Sequence, residues 1–357
     1  MEIPIWHNIH PDFKFNGFSC NLDDLSEIGY SLVKEGEPYE VVIGQFVLDW
    51  ISNKPTLEVF TSGSTGKPKR IELNKEHMVN SALATGEYFQ LKPKQQALLC
   101  LPCSGIAGKM MLVRAMVLGL HLDEVEPSSN PLQHNKKLYD FVAMVPLQVE
   151  QSLQELDRVG ILIIGGAPVN DKLRAVLESG STQVYETYGM TETITHIAVK
   201  EIAPEPKPYF ETLPNITLST DDRGCLVINA PKVANEKVIT NDIVELKGTN
   251  QFTWLGRYDS IINSGGIKLM PESIEAKLTP LMPSRFFVAG IPDEVLGEKL
   301  ILVIEGQPLP TDEILQKIKS QASISKYEVP KDIYFVKSFV ETATQKIHRD
   351  KTLKLIL

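Results

Sequence analysis

Apolar positions at residues 38–52 (Tyr39, Val42, Ile43, Phe46, Val47, Trp50, Ile51) recur at helical spacing, so the pattern predicts a helix there. A short apolar run, Leu57 to Phe60, reads as a strand, and Asn74 as the N-cap of a helix reaching about Phe89. Short apolar runs then alternate with helical ones. Ala97–Leu101, Phe141–Val145 and Ile161–Ile164 read as strands, Ile106–Leu118 and Asp171–Leu177 as helices. That alternation predicts an α/β fold with a mainly parallel sheet. Further on, short strands separated by turns (Cys225–Asn229, Lys237–Thr240, Ile243–Leu246, Phe252–Trp254) suggest a small β-rich subdomain. From about Ser260 a different unit begins. A hairpin over residues 261–268 is followed by a helix after Pro271, strands at Phe286–Ala289 and Leu300–Ile304, a helix from about Asp312 and a strand at Ile333–Phe335. The expected organisation is a large α/β domain at 1–259 and an α+β domain at 260–357.

Composition narrows the function. Lys+Arg 36 against Asp+Glu 45 gives a net charge of −9 over 357 residues, which argues against nucleic-acid binding through phosphate contacts. An anionic substrate must be met by local positive charge. No long uncharged apolar stretch suggests a membrane span, and the start, Met1-Glu2-Ile3-Pro4, has no secretory pattern, so a cytoplasmic protein is expected. Of the cysteines at 20, 100, 103 and 225, two have CxxC spacing, but the second pair that a zinc site needs is absent. Buried free thiols are expected.

The chemistry is concentrated in five stretches. Val59-Phe60-Thr61-Ser62-Gly63-Ser64-Thr65-Gly66-Lys67-Pro68-Lys69 carries an apolar strand into hydroxyls, glycines and two lysines. Gly63 and Gly66 free the backbone to approach a ligand, and the N–H groups, hydroxyls, Lys67 and Lys69 can cradle phosphate. The spacing is not that of the P-loop, because only two residues separate Gly63 from Gly66 and proline follows Lys67. A second stretch, Tyr188-Gly189-Met190-Thr191-Glu192, offers a carboxylate suited to Mg²⁺, a hydroxyl for an α-phosphate and a ring for adenine. A third, Gly165-Gly166-Ala167-Pro168, is a tight turn where backbone can approach a purine. Asp242, with Gly256-Arg257-Tyr258-Asp259, could hold ribose hydroxyls, although an Asx turn would also account for the aspartate. Last, Thr342-Ala343-Thr344-Gln345-Lys346-Ile347-His348-Arg349 presents a lysine in polar surroundings, which reads either as a solvated basic tail or as a charge-neutralising group.

Taken in order, these pieces resemble the adenylate-forming superfamily of acyl-CoA synthetases, adenylation domains and luciferases, whose phosphate signature is Thr-Ser-Gly-Ser/Thr-Thr-Gly-x-Pro-Lys. The resemblance runs from residue 57 to nearly the end. It implies that Thr61, Ser62, Gly63, Ser64, Thr65, Gly66, Lys67 and Lys69 hold ATP phosphates. It implies that Gly165, Gly166, Ala167, Tyr188 and Gly189 hold adenine, and Asp242 and Arg257 the ribose. Thr191 would act on the α-phosphate, Glu192 on Mg²⁺, and Asp259 would be an interdomain hinge. Lys346 would be the catalytic lysine, although Gln345 stands where the family usually has glycine. The implied reaction couples a carboxylic acid to ATP as an acyl adenylate and then to CoA. After adenylation the C-terminal domain of such ligases rotates, so that here Gly265 and Gly266 would line a pantetheine channel. The implied cofactors are ATP, Mg²⁺ and CoA; the partners are small molecules, and oligomeric state is not legible.

The acid is suggested by Leu101-Pro102-Cys103-Ser104-Gly105-Ile106-Ala107-Gly108. This segment resembles the acyl-pocket segment of o-succinylbenzoate–CoA ligases, which commonly reads Leu-Pro-Leu-Phe-His-x-Ser-Gly and carries a cation a few residues on. Arg114 holds the cation position and would pair with one substrate carboxylate, unless it lies on the outer surface of its helix. Gly105 replaces the histidine. The short stretch ahead of residue 61 fits a compact ligase for a small aromatic acid.

Overall fold

A computed structural model describes residues 4–61, 69–341 and 347–356. The chain divides into two compact units, Met1–Ser219 with Val227–Ile239 and Leu246–Thr253, and Thr220–Leu226 with Thr240–Glu245 and Trp254–Leu357. The strands Cys225–Asn229, Val238–Leu246 and Gln251–Arg257 have residues in both.

The first unit is built on a sheet whose neighbours run Phe210–Thr212, His196–Ala203, Gln183–Gly189, Val159–Ile164, Tyr139–Met144, Gln96–Leu99, His121–Glu124, Lys14–Phe15 and Phe18–Ser19. From Gln183–Gly189 to Lys14–Phe15 the pairing is parallel; on either side it is antiparallel. The parallel strands read as apolar runs because both faces are covered. Leu162 and Ile164 are fully buried, as are Phe141 and Val142. In register, Met144 pairs with Ile164, so these two strands end level with each other.

The Ile106–Leu118 helix is apolar almost all round and most of it is buried, with Arg114 among its buried residues. It stops at Gly119, whose φ of 72° is the left-handed cap that glycine tolerates. The helices Ile106–Leu118 and Asp171–Leu177 and the strand Cys225–Asn229 coincide with the pattern-based expectation. Asn74 caps the Lys75–Tyr88 helix by accepting from the Glu76 N–H at 2.8 Å. The strand expected at Ala97–Leu101 ends at Leu99, two residues short of the expected end and ahead of Pro102. The two strands expected at 237–240 and 243–246 are one, Val238–Leu246. The polar break at Asn241-Asp242 does not interrupt it, because the Asp242 N–H is taken by Thr240 Oγ1 (3.0 Å) and its carboxylate by Trp254.

The strands Thr56–Thr61 and Lys69–Asn74 form a separate antiparallel pair with Thr61 opposite Lys69. The base of this hairpin is fixed by Lys75, which is buried. Its ammonium donates to the carbonyls of Asp49 (2.6 Å), Trp50 (2.9 Å) and Ser52 (3.0 Å), at the C-terminal end of the Pro38–Ile51 helix. The cation thus meets the negative end of the helix and its orphan carbonyls. Burial pushes its pKa down to about 8, still above neutrality.

In the second unit, Phe286–Asp293 pairs antiparallel with Gly297–Glu305, which pairs in parallel with Asp332–Val336. The hairpin Ile262–Ser264 to Ile267–Leu269 turns at Gly265 (φ 59°) and Gly266 (φ 80°). Two successive positive φ values are the requirement of a type I′ turn, so both glycines have a local reason to be there.

Lys75→Met should remove a donor from three carbonyls; those of Asp49 and Ser52 keep Ser52 and Trp6 as donors, and the buried Trp50 carbonyl loses its ammonium partner. The expected cost is about 2–3 kcal/mol of stability, read as a lowered urea midpoint at unchanged slope. A variant as stable as the parent contradicts this role for Lys75.

Candidate active site

Much of the wall of the main cleft in the first unit is supplied by residues that follow strands of the sheet. Val145 comes after Tyr139–Met144, Gly165 and Gly166 after Val159–Ile164, and Met190 and Thr191 after Gln183–Gly189. The cleft, with about 820 Å³ of empty space, therefore lies at the carboxyl ends of the strands, where open α/β sheets bind ligands. The Ile106–Leu118 helix closes one side with Ile106, Ala107 and Arg114.

The turn after Val159–Ile164 is fixed by backbone geometry. Gly165 donates to the Met144 carbonyl (3.1 Å), and a Cβ there would stand 2.7 Å from Thr187 Oγ1. Gly166 has φ +83°. Both glycines are thus required by the turn itself. Gly189 is more tightly constrained, since a Cβ would lie 2.2 Å from the Thr195 carbonyl oxygen and 2.4 Å from His196 Cα.

The next residues, Thr191–Thr193, form a single 3-10 turn. Thr193, buried, accepts from the Met190 N–H at 3.2 Å, and its hydroxyl lies 3.1 Å from the Met190 carbonyl and 3.0 Å from that of Thr195. Ile194 follows with φ 67°, an unfavourable value for a β-branched residue that only a well-determined turn sustains. These contacts place Thr191 on the cleft wall and leave Glu192 exposed. The Tyr188 ring is half-buried, its centroid 5.0 Å from that of Phe252 in an edge-on contact.

Arg114 does not lie on the outer surface of its helix; it is 1% exposed. Its Nε faces Thr85 Oγ1 at 3.4 Å, Nη2 faces His196 Nδ1 at 3.4 Å and Nη1 faces Met111 Sδ at 3.7 Å. No carboxylate among the described residues pairs with it. Burial pulls its pKa down to about 9, so it stays charged at neutral pH. His196 is also buried, and burial beside that cation holds its pKa well below the usual value, leaving it neutral. The hydrogen-bond directions then follow. Arginine can only donate, so Nδ1 accepts, and Nε2 donates to Thr85 Oγ1 (3.4 Å), whose own proton goes to the Ser81 carbonyl (3.0 Å). At these lengths the contacts to Arg114 are weak, and donor capacity remains.

In the second unit, Asp242 is buried and accepts from Trp254 Nε1 at 3.1 Å, with Arg257 Nη1 at 3.8 Å. Arg257 forks onto Asp259 at 3.0 and 2.8 Å, which holds that carboxyl below its usual range. Arg223 braces the same segment through the Thr240 carbonyl (3.1 Å) and Asn241 Oδ1 (2.9 Å).

Residues 49–230 match the model of the AMP-binding enzyme family. The chain belongs to that family. It is similar to an acyl-CoA synthetase (AMP-forming)/AMP-acid ligase II-like protein from Dyadobacter fermentans. The two are 39% identical, with 93% of this chain and 98% of that one covered and a TM-score of 0.63. It is 27% identical to a 2-succinylbenzoate–CoA ligase of Geobacillus sp. (strain WCH70), over 84% of this chain and 68% of that enzyme. It also shares its fold with the o-succinylbenzoate CoA synthetase of Bacillus subtilis solved with its acyl-adenylate intermediate. There the TM-score is 0.70 at 20% identity, covering 82% of this chain and 68% of that one.

Within the AMP-binding enzyme family this chain is an AMP-forming acid–CoA ligase, of a class that uses ATP, Mg²⁺ and CoA. The first unit brings Gly165, Gly166, Gly189, Thr191 and Arg114 to one cleft. Ala167 lies one residue past the turn, and Gly105 is the N-cap of the helix that carries Arg114. A Cβ at Gly105 would meet only the Pro102 carbonyl oxygen at 3.6 Å, so a larger residue fits there. Residues 62–68, with Ser62, Gly63, Ser64, Thr65, Gly66 and Lys67, lie outside the described residues, as does Lys346. Among the described residues no three His, Cys, Asp or Glu side chains could together hold a metal. Glu192 beside the cleft suits an ion such as Mg²⁺, which takes one or two carboxylates and completes its shell with nucleotide phosphates and water. The cysteines are buried and free, and burial pushes Cys100 and Cys103 up to about 12, so neither thiol is reactive. No helix among the described residues is long and apolar enough to cross a membrane.

Gly189→Ala should force the Gln183–Gly189 strand away from residues 195–196, at a cost of about 2–3 kcal/mol by overpacking. Chemical unfolding checks this, and an alanine variant with parental stability contradicts the closeness of the two backbones.

Proposed function

We propose that this enzyme is an o-succinylbenzoate–CoA ligase working through an acyl adenylate. The observation that carries the reading is Arg114, a charged side chain buried in the cleft wall with no carboxylate partner among the described residues. A lone buried charge is costly, and a ligand carboxylate is the group that relieves it. One carboxylate of the acid must react, so pairing at Arg114 calls for a second. o-Succinylbenzoate has two, and the curated ligases that the chain resembles are named for that acid.

In the first step an oxygen of one carboxylate of the acid attacks the α-phosphorus of ATP, and the bond to pyrophosphate breaks. In this reading Thr191 bonds the α-phosphate, Glu192 would hold Mg²⁺, which would supply charge neutralisation at the phosphates, and Lys346 neutralises charge as it builds. Residues 61–67 and Lys69 cradle the phosphates. The 165–167 turn with Tyr188 and Gly189 holds the adenine. Asp242, oriented by Trp254, takes the ribose hydroxyls with Arg257. In the second step the CoA sulfur attacks the acyl carbon and AMP leaves. Gly265 and Gly266 line the approach of the pantetheine arm, and Asp259 serves as the hinge between the steps.

A panel of aromatic and aliphatic acids, assayed for AMP release with and without CoA, tests the substrate. The greatest kcat/KM is expected for o-succinylbenzoate, with CoA required for turnover; no preference for it over benzoate removes the assignment. Arg114→Ala should lower kcat/KM for o-succinylbenzoate by about 100-fold, the cost of breaking a buried charge pair, and for benzoate by less than about tenfold. Equal losses contradict the pairing. Lys346→Ala should reduce adenylate formation by about 100-fold or more, while thioester formation from supplied acyl adenylate and CoA is retained. Loss of both half-reactions together contradicts the role given to Lys346.

A further inference from the structure

A buried carboxylate that no step of the proposed reaction uses is bonded to the end of the turn at 165–168. Glu186, on the Gln183–Gly189 strand, is 7% exposed. Its Oε1 accepts from the Val169 N–H at 3.1 Å, the first N–H past the turn because Pro168 has none. Its Oε2 takes Arg174 Nη2 at 2.7 Å and Lys200 Nζ at 2.8 Å. Burial acts to raise the pKa of this group, yet the charges of Lys200 and Arg174 hold it below the usual carboxylate value, so it stays ionised at neutral pH.

The next residue ties the other end of the same turn. Thr187 Oγ1 donates to the Ile164 carbonyl at 2.9 Å, and Ile164 stands opposite Glu186 in the parallel pair. Entry to and exit from the turn are thus fixed to two consecutive residues of one strand, immediately ahead of Tyr188 and Gly189. Lys200 extends the connection to a group of rings. Its ammonium lies 4.8 Å from the Phe210 centroid, and Phe210 stacks on Phe252 at 5.2 Å. The Tyr188 ring meets both, at 5.8 and 5.0 Å. Stability alone does not call for this arrangement, because apolar side chains of similar volume in place of buried charges are often as stable or more so. What they cannot do is accept the Val169 N–H and fix its direction.

We infer that Glu186 is a positioning residue for the purine, holding the 165–168 turn and the rings packed on Tyr188 at a fixed spacing. The inference rests on the reading that this turn and Tyr188 hold the adenine. A base is recognised only where the groups that meet it are placed to within about 0.5 Å by locked neighbours. Glu186 supplies such a lock with one donor from the end of the turn, one from the Asp171–Leu177 helix and one from the His196–Ala203 strand. Without it the turn keeps its glycines and its Thr187 tie but loses the anchor of its exit. Phosphate and ribose are assigned to other segments, so a nucleotide carrying a different base loses less.

The test uses the full chain and needs no acid. Dissociation constants of ATP and CTP, each with Mg²⁺, are measured by calorimetric titration, and the parent is expected to bind ATP more tightly. In Glu186→Ala the Kd for ATP should rise about tenfold, the scale of a lost buried hydrogen-bond partner, while that for CTP changes little. A role confined to stability would move both constants alike or neither. Replacing the charges together, by Glu186→Leu, Arg174→Met and Lys200→Met, leaves no unpaired ion at this place. That variant should melt cooperatively and still show the same loss of preference for ATP, so it carries the test should the alanine variant fail to fold. A folded variant whose preference for ATP over CTP matches the parent's within error overturns the inference. Tyr188→Ala tells the two ideas apart. If it lowers the preference and the Glu186 variants do not, the inference alone fails. If none of them lowers it, or if the parent shows no preference, the assignment of the adenine to this turn fails and takes the inference with it.

Discussion

A guanidinium sealed inside a protein must be answered by some negative or strongly accepting group, and at Arg114 the protein supplies only part of that answer. Thr85 and His196 accept from it at the long end of hydrogen-bond range, and Met111 offers a sulfur. The arrangement resembles one half of a buried ion pair. The cost of holding such a half is offset by packing along the Ile106–Leu118 helix, whose other buried positions are apolar. On the proposed function, selectivity follows from the same constraint, because an acid without a second carboxylate leaves the charge unmet.

The rest of the cleft depends on how closely backbones can approach one another. Parallel strands end level at Met144 and Ile164; the first is followed by Val145, the N-cap of the Pro146–Gln151 helix, and the second by the Gly165-Gly166 turn, and both lead into the cleft wall. Gly165 and Gly166 allow one turn, Gly189 allows the next strand to press on residues 195–196, and Thr193 ties together the turn that carries Thr191 and Glu192. The shape of this cleft is thus set largely by main-chain geometry. The same economy shows at Asp242. An Asx turn would explain an exposed aspartate, but this one is buried and bonded to the Trp254 indole, which orients a carboxylate instead of closing a turn.

Much of this was legible in the amino-acid pattern, for identifiable reasons. The Ile106–Leu118 and Asp171–Leu177 helices are legible as helical runs alternating with short apolar strands, and in the folded chain Gly105 and Gly119 bound the first and Asn170 caps the second. The Leu22–Glu35 helix was passed over although its start carries a capping box, Asn21 with Asp24, that marks a helix from local residues alone. The strand His196–Ala203 was missed because its pairing is antiparallel and its lysine and glutamate at 200 and 201 dilute the apolar run. The chemistry-bearing motifs were readable as strings. The residues that position them were not: Trp254, Thr193, Thr85 and His196 act through contacts that only the folded chain creates.

The most direct test of this account is a crystal structure of the enzyme with its acyl adenylate, made from o-succinylbenzoate or a stable analogue. The account predicts the carboxylate that is not joined to AMP within about 3 Å of the Arg114 guanidinium, the distance of a charge-assisted hydrogen bond. A free carboxylate directed elsewhere, with Arg114 still bonded only to Thr85, His196 and Met111, would contradict it.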